Sequence, residues 1–402
     1  MQRLLIIGAG FAGMYAALSS ARLRDVQGVS TDSFEIVLVA PEPNLVIRPR
    51  LYERDPEEMS APLSELFDAI DIKYKRGRVD AINSAEMSVE IVGPDGARSS
   101  LSYDRLVLAA GSQVFKPNIP GISKYAFSVD QIDDAIVLER HLHNLANQPS
   151  SKARDTVVVA GGGFTGIEVA TEMPSRLRSI LGPDADTKVI IVDGSEVIAP
   201  AMGSNPRPLI EKALRELGVE VVLGVRVSEL NDSSVTLSNG RIIESATVIW
   251  AGGVRANPLT EQIQAEHDRS GRLCIDRNLR VPEIPTIFAA GDTARAATDD
   301  LGNFSLMSCQ HANRLGASAG HNAAADLLGV DLEPYHQKNY VTCLDLGPSD
   351  AVFCRGWDSQ VELSGSEAKT VKNEINTKWI YPPEANREAA FKAAEWARLV
   401  DY

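Results

Sequence analysis

Two glycine-rich turns make the first chemical suggestion in this chain. Gly8-x-Gly10-x-x-Gly13 follows the apolar run of residues 3 to 7, and Gly161-x-Gly163-x-x-Gly166 follows the run from Thr156 to Ala160. In such a turn the first glycine permits a tight strand-to-helix reversal, the second lets the backbone approach a pyrophosphate, and the third lets helix and strand pack closely. The N–H groups that open the helix, at Phe11 and Ala12 in the first case and at Phe164 and Thr165 in the second, then meet the anion at the positive end of the helix dipole. Each turn is expected to hold one dinucleotide.

Carboxylates at set distances from these turns refine the expectation. The strand after the second turn closes at Asp193, where a carboxylate accepts from a ribose 2′-hydroxyl and repels a 2′-phosphate. No arginine adjoins it, which favours NADH over NADPH. The strand after the first turn ends instead at Ala40, and Glu42 either does this work from two residues later or is a solvated turn residue; both readings stand. Glu168, placed in the first turn of the second helix, is accounted for by the helix dipole. Asp292 follows Ala289, Ala290 and Gly291 at the end of an apolar run. It suits the ribityl and pyrophosphate of FAD, with a plain helix N-cap as the alternative.

Elements must exist to position these residues. Strand, helix and strand patterns run from residue 3 to Val39 and again from Thr156 to Gly194, with Pro174 limiting the second helix. Two βαβ units in one chain imply an α/β fold of two Rossmann-like dinucleotide-binding domains, one for FAD and one for NAD, plus a small C-terminal α+β region. The expected division is a discontinuous FAD-binding domain of residues 1–115 and 272–330, an NAD-binding domain of 116–271 and a C-terminal interface region of 331–402. A helix is expected from His311 to Leu328, three short strands near Val341, Ala351 and Val361, and a final amphipathic segment from Glu384 to Val400.

GAGFAG at Gly8, AAGS at Ala109 to Ser112 with PNIPG after it, GGGFTGIE at Gly161, WAGG at Trp250 and AAGD at Ala289 occur in the order of the two-dinucleotide flavoproteins. The chain resembles that pyridine nucleotide-disulfide oxidoreductase-like superfamily. Within it, RPRLYE at Arg48, TGIE at Thr165 and SCQHANRLG at Ser308 are similar to motifs of the type II NADH dehydrogenase-like group. The resemblance implies FAD at Gly8, Gly10, Phe11, Ala12, Gly13, Glu42, Arg48, Val79, Ala110, Gly111, Gly291, Asp292 and Gln310. It implies NADH at Gly161, Gly163, Phe164, Thr165, Gly166, Glu168, Asp193, Gly252 and Gly253. It also moves Glu168 beside the nicotinamide and gives Glu168, Gln310 and Arg48 catalytic roles. Hydride passing from NADH to FAD N5, and electrons then passing to a quinone or similar acceptor, is the activity implied.

The departures restrict the acceptor. Disulfide reductases of this superfamily carry a cysteine pair soon after the first βαβ unit, and residues 40 to 70 contain no cysteine, so a dithiol relay is excluded there. The group's AQxAxQQ pattern survives here only in Gln310. Arg48 replaces a neutral amide and either stabilises an anionic ring or substrate, or joins Arg50 and Arg54 in an exposed basic face. The other readings are a soluble NADH-dependent reductase serving a ferredoxin, a monooxygenase or a specialised small molecule, and a nucleotide-sensing protein with little turnover.

Composition excludes several classes. A net charge of -14 gives no electrostatic footprint for nucleic acid. Cys274, Cys309, Cys343 and Cys354 form no CxxC pair, so no metal site or disulfide framework is expected and the thiols point to the cytoplasm. No segment approaches about 18 apolar residues in a row. Ala389, Ala393, Trp396 and Val400 share a narrow helical face, expected to pack on the body or on a second subunit of a homodimer. At most it makes weak peripheral contact with the inner membrane face.

Overall fold

Strands that lack any alternation of polar and apolar residues can be covered on both faces, and this chain has two such sets. Phe34–Ala40 and Thr156–Ala160 are buried along their whole length. The computed structural model describes residues 1–337 and 339–399. In it, one parallel sheet runs in the order Ile287–Ala289, Arg105–Leu108, Gln2–Ile7, Phe34–Ala40, Lys73–Arg76. A second is ordered Ala126–Phe127, Thr247–Trp250, Thr156–Ala160, Lys188–Val192, Glu220–Val222 and is also parallel throughout. The protein is therefore a two-Rossmann α/β fold, and the first sheet draws its edge strand from chain that follows the second sheet.

Each parallel sheet is accompanied by a three-stranded antiparallel meander. Arg78–Asn83, Ser88–Val92 and Arg98–Ser102 form one, and Val227–Leu230, Ser234–Leu237 and Ile242–Glu244 the other. The connection between the two units is an antiparallel pair, Ser112–Val114 with Val254–Ala256.

Helix Phe11–Val26 packs on helix Cys309–Leu328 with backbones almost in contact. A Cβ added at Gly316 would lie 2.1 Å from the Ala12 carbonyl oxygen, and one at Gly320 would lie 2.2 Å from that of Ala16. Small residues four apart on one helix face allow this approach. The helix begins at Cys309, two residues before the expected start, because Ser308 caps it by accepting from His311 N–H at 3.4 Å.

Pro174 does not end the second fingerprint helix, which runs Phe164–Leu181 through it. A proline inside a helix costs about 3 kcal/mol. The buried side chains on either side, Met173, Arg176 and Leu177, offset that cost by keeping both halves on the sheet.

The C-terminal region is the antiparallel sheet Val341–Asp345, Ala351–Arg355, Gln360–Ser364, then helix Gly365–Glu374 running into a π-turn at Ile375–Trp379. The final helix is Arg387–Leu399. It turns Ala390, Ala394 and Ala397 inward, one residue round from the expected face, while Val400 and the Trp396 side chain lie outside what the structure describes. Its ends are tied to the body by Arg22–Glu395 at 2.6 Å, Arg387–Asp25 at 2.7 Å and Arg398–Glu333 at 2.8 Å. The narrow apolar face is spent on the body of the molecule. No described helix is long and apolar enough to cross a membrane.

Candidate redox site

The two glycine turns have the same geometry. Gly8 has φ +109° and Gly161 φ +128°, and a Cβ at either would lie 2.4 Å from a carbonyl oxygen on the neighbouring strand, Ala109 or Ala251. Gly13 and Gly166 each pack so that a Cβ would meet the carbonyl oxygen of Gly8 or Gly161 at 1.9 Å. Gly10 and Gly163 face open space, with nothing within 4 Å of such a Cβ. The first and third glycines thus close each turn, and the second leaves room for a phosphate pair.

The helices those turns open leave their N–H groups available. The first intrahelical bonds run from Met14 to Gly10 at 2.9 Å and from Ile167 to Gly163 at 3.0 Å. The N–H groups of Phe11, Ala12 and Gly13, and of Phe164, Thr165 and Gly166, precede them and have no partner within the helix. Neither helix has a side-chain cap or an acidic residue in its first turn. Both cradles fit a pyrophosphate.

At the second cradle Asp193 is held in position. Its Oδ2 accepts from Gly162 N–H at 2.6 Å and its Oδ1 from Ser195 N–H at 2.7 Å. Gly252 lies under the Trp250 ring, 2.7 Å from where its Cβ would stand, and Gly253 has φ +101°. At the first cradle Gly291 (φ +66°) brings the turn before Asp292 against Ala12. Ser112 Oγ donates to Asp292 Oδ2 at 2.6 Å and accepts from Arg48 Nη1 at 2.8 Å. Arg48 also pairs with Asp292 at 3.2 Å and, through Nη2, with Asp130.

This removes the exposed basic face. Arg48 is bound to two carboxylates, and Arg50 lies across Glu53 at 2.7 Å and donates to Tyr381 Oη at 2.8 Å; only Arg54 of the three stays exposed. Gly111 stands nearby at φ +71°, its carbonyl accepting from Asn257 N–H at 2.9 Å, and the Ala110 carbonyl accepts from Asn257 Nδ2 at 3.4 Å. Glu42 is exposed and paired with Arg76 across the ends of adjacent strands. The Val79 side chain is packed in the core under the first sheet, so it offers neighbours only its backbone.

Glu168 departs most from its helix-dipole explanation. It is the fifth residue of its helix, beyond the first turn, and its side chain is only 12% exposed. Its Oε1 accepts from Lys372 Nζ at 2.7 Å and from Asp345 N–H at 3.2 Å. Lys372 also donates to the Cys343 carbonyl at 3.1 Å, Lys369 donates to Asp345 Oδ1 at 2.6 Å, and Tyr52 Oη donates to Asp345 Oδ2 at 2.8 Å. Burial pushes the Glu168 carboxyl above its ordinary range, while the facing carboxylate holds the Lys372 ammonium charged. Burial and the surrounding carboxylates keep Tyr52 protonated.

Gln310 stands at the N-terminus of helix Cys309–Leu328 with its buried Oε1 unpartnered among the described residues. Burial raises the thiol of its neighbour Cys309 to about 11, so this cysteine is a thiol at neutral pH. All four cysteines are free. Sequence reasoning did not reach Lys372, Asp345, Tyr52, Ser112 or Asp130. Of these, Ser112 and Tyr52 carried a signal, as the last residue of AAGS and the fifth of RPRLYE.

The model of the pyridine nucleotide-disulphide oxidoreductase family matches residues 2–316. The chain belongs to this family. It is an oxidoreductase that uses FAD and NADH. An NADH dehydrogenase-like protein of Mycobacterium tuberculosis is 41% identical over 401 residues, 99% of each chain. The demethylphylloquinone reductase of Synechocystis is 30% identical over 374 residues, covering 91% of this chain and 89% of its own. Among solved structures, NDH2 of Plasmodium falciparum in complex with NADH superposes with a TM-score of 0.76 at 16% identity, over 98% of each chain, and shares the fold.

Proposed function

We propose that this oxidoreductase takes electrons from NADH at the second cradle and delivers them, by way of FAD in the first, to a quinone or a similar small acceptor. The single observation that carries the reading is the pair of superposable glycine cradles, each with an open second glycine and a nearby carboxylate held by hydrogen bonds. Similarity over nearly the whole chain to proteins named for NADH dehydrogenation and quinone reduction supports it.

When bound, FAD supplies the redox chemistry that links a two-electron nicotinamide to its acceptor. The chain binds and orients around it. Phe11, Ala12 and Gly13 offer backbone N–H groups to the FAD pyrophosphate, and Gly8, Ala110, Gly111 and Gly291 shape the turn. Asp292 keeps Oδ1 free of any bond among the described residues, ready to accept from a polyol hydroxyl. Val79 contributes backbone, and the Glu42–Arg76 pair flanks the ribose edge. Arg48 fixes Asp292 and places a guanidinium at the junction of the two units.

For NADH, Phe164, Thr165 and Gly166 offer N–H groups, Asp193 accepts from the ribose, and Gly252 and Gly253 leave backbone room. Glu168, pinned by Lys372, borders the meeting place of the two cofactors and excludes water from it. Gln310 offers its unpartnered Oε1 on the acceptor side. A dithiol acceptor is not served, because all four cysteines are free and burial keeps Cys309, beside Gln310, a protonated thiol. A docking face for an acidic redox protein is not supported either, since Arg48 and Arg50 are already neutralised.

Anaerobic mixing of the FAD-loaded protein with NADH, followed by a soluble quinone, tests this reading. Rapid bleaching of the flavin and rapid recovery on adding the quinone are expected. A reduced flavin that the quinone leaves reduced would sink the acceptor assignment, and no bleaching would sink the dehydrogenase reading.

A further inference from the structure

Along the sequence no cation adjoins Asp193. In space, Arg226 comes to its side. Gly194 follows Asp193, and a Cβ built there would lie 2.7 Å from Arg226 Nε, 3.0 Å from Cγ and 3.4 Å from Cδ. The arginine side chain therefore occupies the space into which a side chain at position 194 would project. Gly194 has none, and that vacancy lets the guanidinium lie there.

The placement is built rather than accidental. Val225 N–H donates to the Asp193 carbonyl at 3.3 Å, and Gly224 N–H donates to the Ser195 carbonyl at 3.0 Å, stitching the loop that carries Arg226 to the loop that carries Asp193. Arg226 N–H donates to Ser238 Oγ at 3.1 Å, and Ser238 N–H donates to the Arg226 carbonyl at 2.7 Å, fixing the arginine backbone from the meander side. Gly194 and Arg226 are both exposed, so the guanidinium faces solvent and not the core. Among the described residues Arg226 forms no ion pair, whereas Arg48, Arg50 and Arg241 each do. Glu196 lies over Gly224, 3.2 Å from where a Cβ there would stand, and makes no ion pair with Arg226 among the described residues.

We propose that Arg226 forms a second, cationic wall at the adenosine ribose of the nicotinamide site and receives a 2′-phosphate, so that the protein uses NADPH as well as NADH. This rests on the assignment of the second cradle to the nicotinamide coenzyme. Asp193 then serves the ribose hydroxyls of NADH. For NADPH the planar guanidinium offers paired N–H donors to the phosphate oxygens and offsets the repulsion from Asp193. Because the pair is exposed, its contribution falls with ionic strength, whereas the hydrogen bonds of Asp193 to a neutral ribose do not share that dependence.

The test compares Arg226→Gln and Arg226→Lys with the parent holoenzyme by two readouts. One is the ratio of KM values for NADPH and NADH. The other, independent of turnover, is the ratio of dissociation constants for 2′,5′-ADP and 5′-AMP on the oxidised protein. Arg226→Gln should raise both ratios about tenfold, the change that 1.4 kcal/mol produces, and Arg226→Lys should restore part of it. Added salt should weaken 2′,5′-ADP more than 5′-AMP in the parent and equally in Arg226→Gln. Unchanged ratios, or both nucleotides weakening together as they would if Arg226 only stacked on adenine, overturn the proposal, as does a parent protein that does not oxidise NADPH. Asp193→Asn separates the two layers: if it alters neither NADH nor 5′-AMP binding, the assignment of the second cradle has failed, and Arg226 falls with it.

Discussion

Lys372 reaches Glu168 from a helix 204 residues further along the chain, and the two charges are nearly sealed from water. A buried ion pair of this kind is costly to break from one side, because the charge left behind has neither partner nor solvent. Lys372→Met should therefore lower the unfolding free energy of the FAD-loaded protein by about 3 to 5 kcal/mol. The loss should deepen as pH rises. A carboxyl whose folded value is raised keeps its stabilising contribution at low pH and loses it as pH climbs through that value, and the variant removes the ammonium that opposes the rise. Glu168→Gln combined with Lys372→Met should recover part of the loss, since a neutral amide tolerates burial better than an unpaired carboxylate. Urea titration of the parent and both variants at two pH values measures both effects. A loss from Lys372→Met that is small, or that shrinks with rising pH, would contradict the buried-pair account.

At the scale of elements, the start of helix Cys309–Leu328 is fastened to the C-terminal region by a stack of rings. His311 lies 5.1 Å from Tyr340 and 5.8 Å from Trp357, centroid to centroid, and its Nδ1 bonds Gln337 Oε1 at 2.9 Å. Burial, with Arg314 and Arg272 nearby, brings the imidazole down from 6.5 to about 4. The unfolded chain takes up a proton near 6.5 and the folded one only near 4, so this contribution is complete above 6.5 and is lost as pH falls between those values. The loss is on the order of 3 kcal/mol. His321, also held near 4 by burial, adds a parallel contribution. His311→Phe keeps a ring in the stack and removes the titration, so its melting temperature should fall less than the parent's between pH 6.5 and 4. Parallel curves for the two proteins would exclude His311 as a source of acid sensitivity.

Elements of this kind also mark how far the sequence could be read. The parallel strands were legible because burial on both faces writes itself as an uninterrupted apolar run, and the glycine turns because three glycines at fixed spacing have one mechanical use. The second meander, Val227 to Glu244, left no comparable mark, since its strands are only three or four residues long and each includes at least one polar residue. Pro174 misled for a related reason: a local rule about proline yielded to packing on both sides of it. The Glu168–Lys372 pair and the Arg226–Gly194 contact are encounters between segments distant in sequence. No spacing rule reaches them, because they are decided by which loops the fold brings together.

For the whole molecule, the question is what holds two dinucleotide units at a fixed distance, and Arg48 is central to the answer. Asp292 follows the edge strand of the first sheet, Asp130 lies just beyond the edge strand of the second, and one guanidinium bonds both. Asp130 is itself fixed, its Oδ2 accepting from Val114 N–H at 2.9 Å in the connection between the units. Arg48→Ala would leave two carboxylates facing each other across the junction. Arg48 is 29% exposed, so solvent screens part of that repulsion. The expected destabilisation is about 1 to 2 kcal/mol, less than for a fully buried pair. It should appear with weaker retention of FAD, because Asp292 loses the contact that orients it. Excess free FAD should recover the part of the thermal loss that comes from cofactor release, by mass action. Asp130→Asn in the Arg48→Ala background should recover the part that comes from repulsion. If neither addition restores any stability, Arg48 acts only within its own loop.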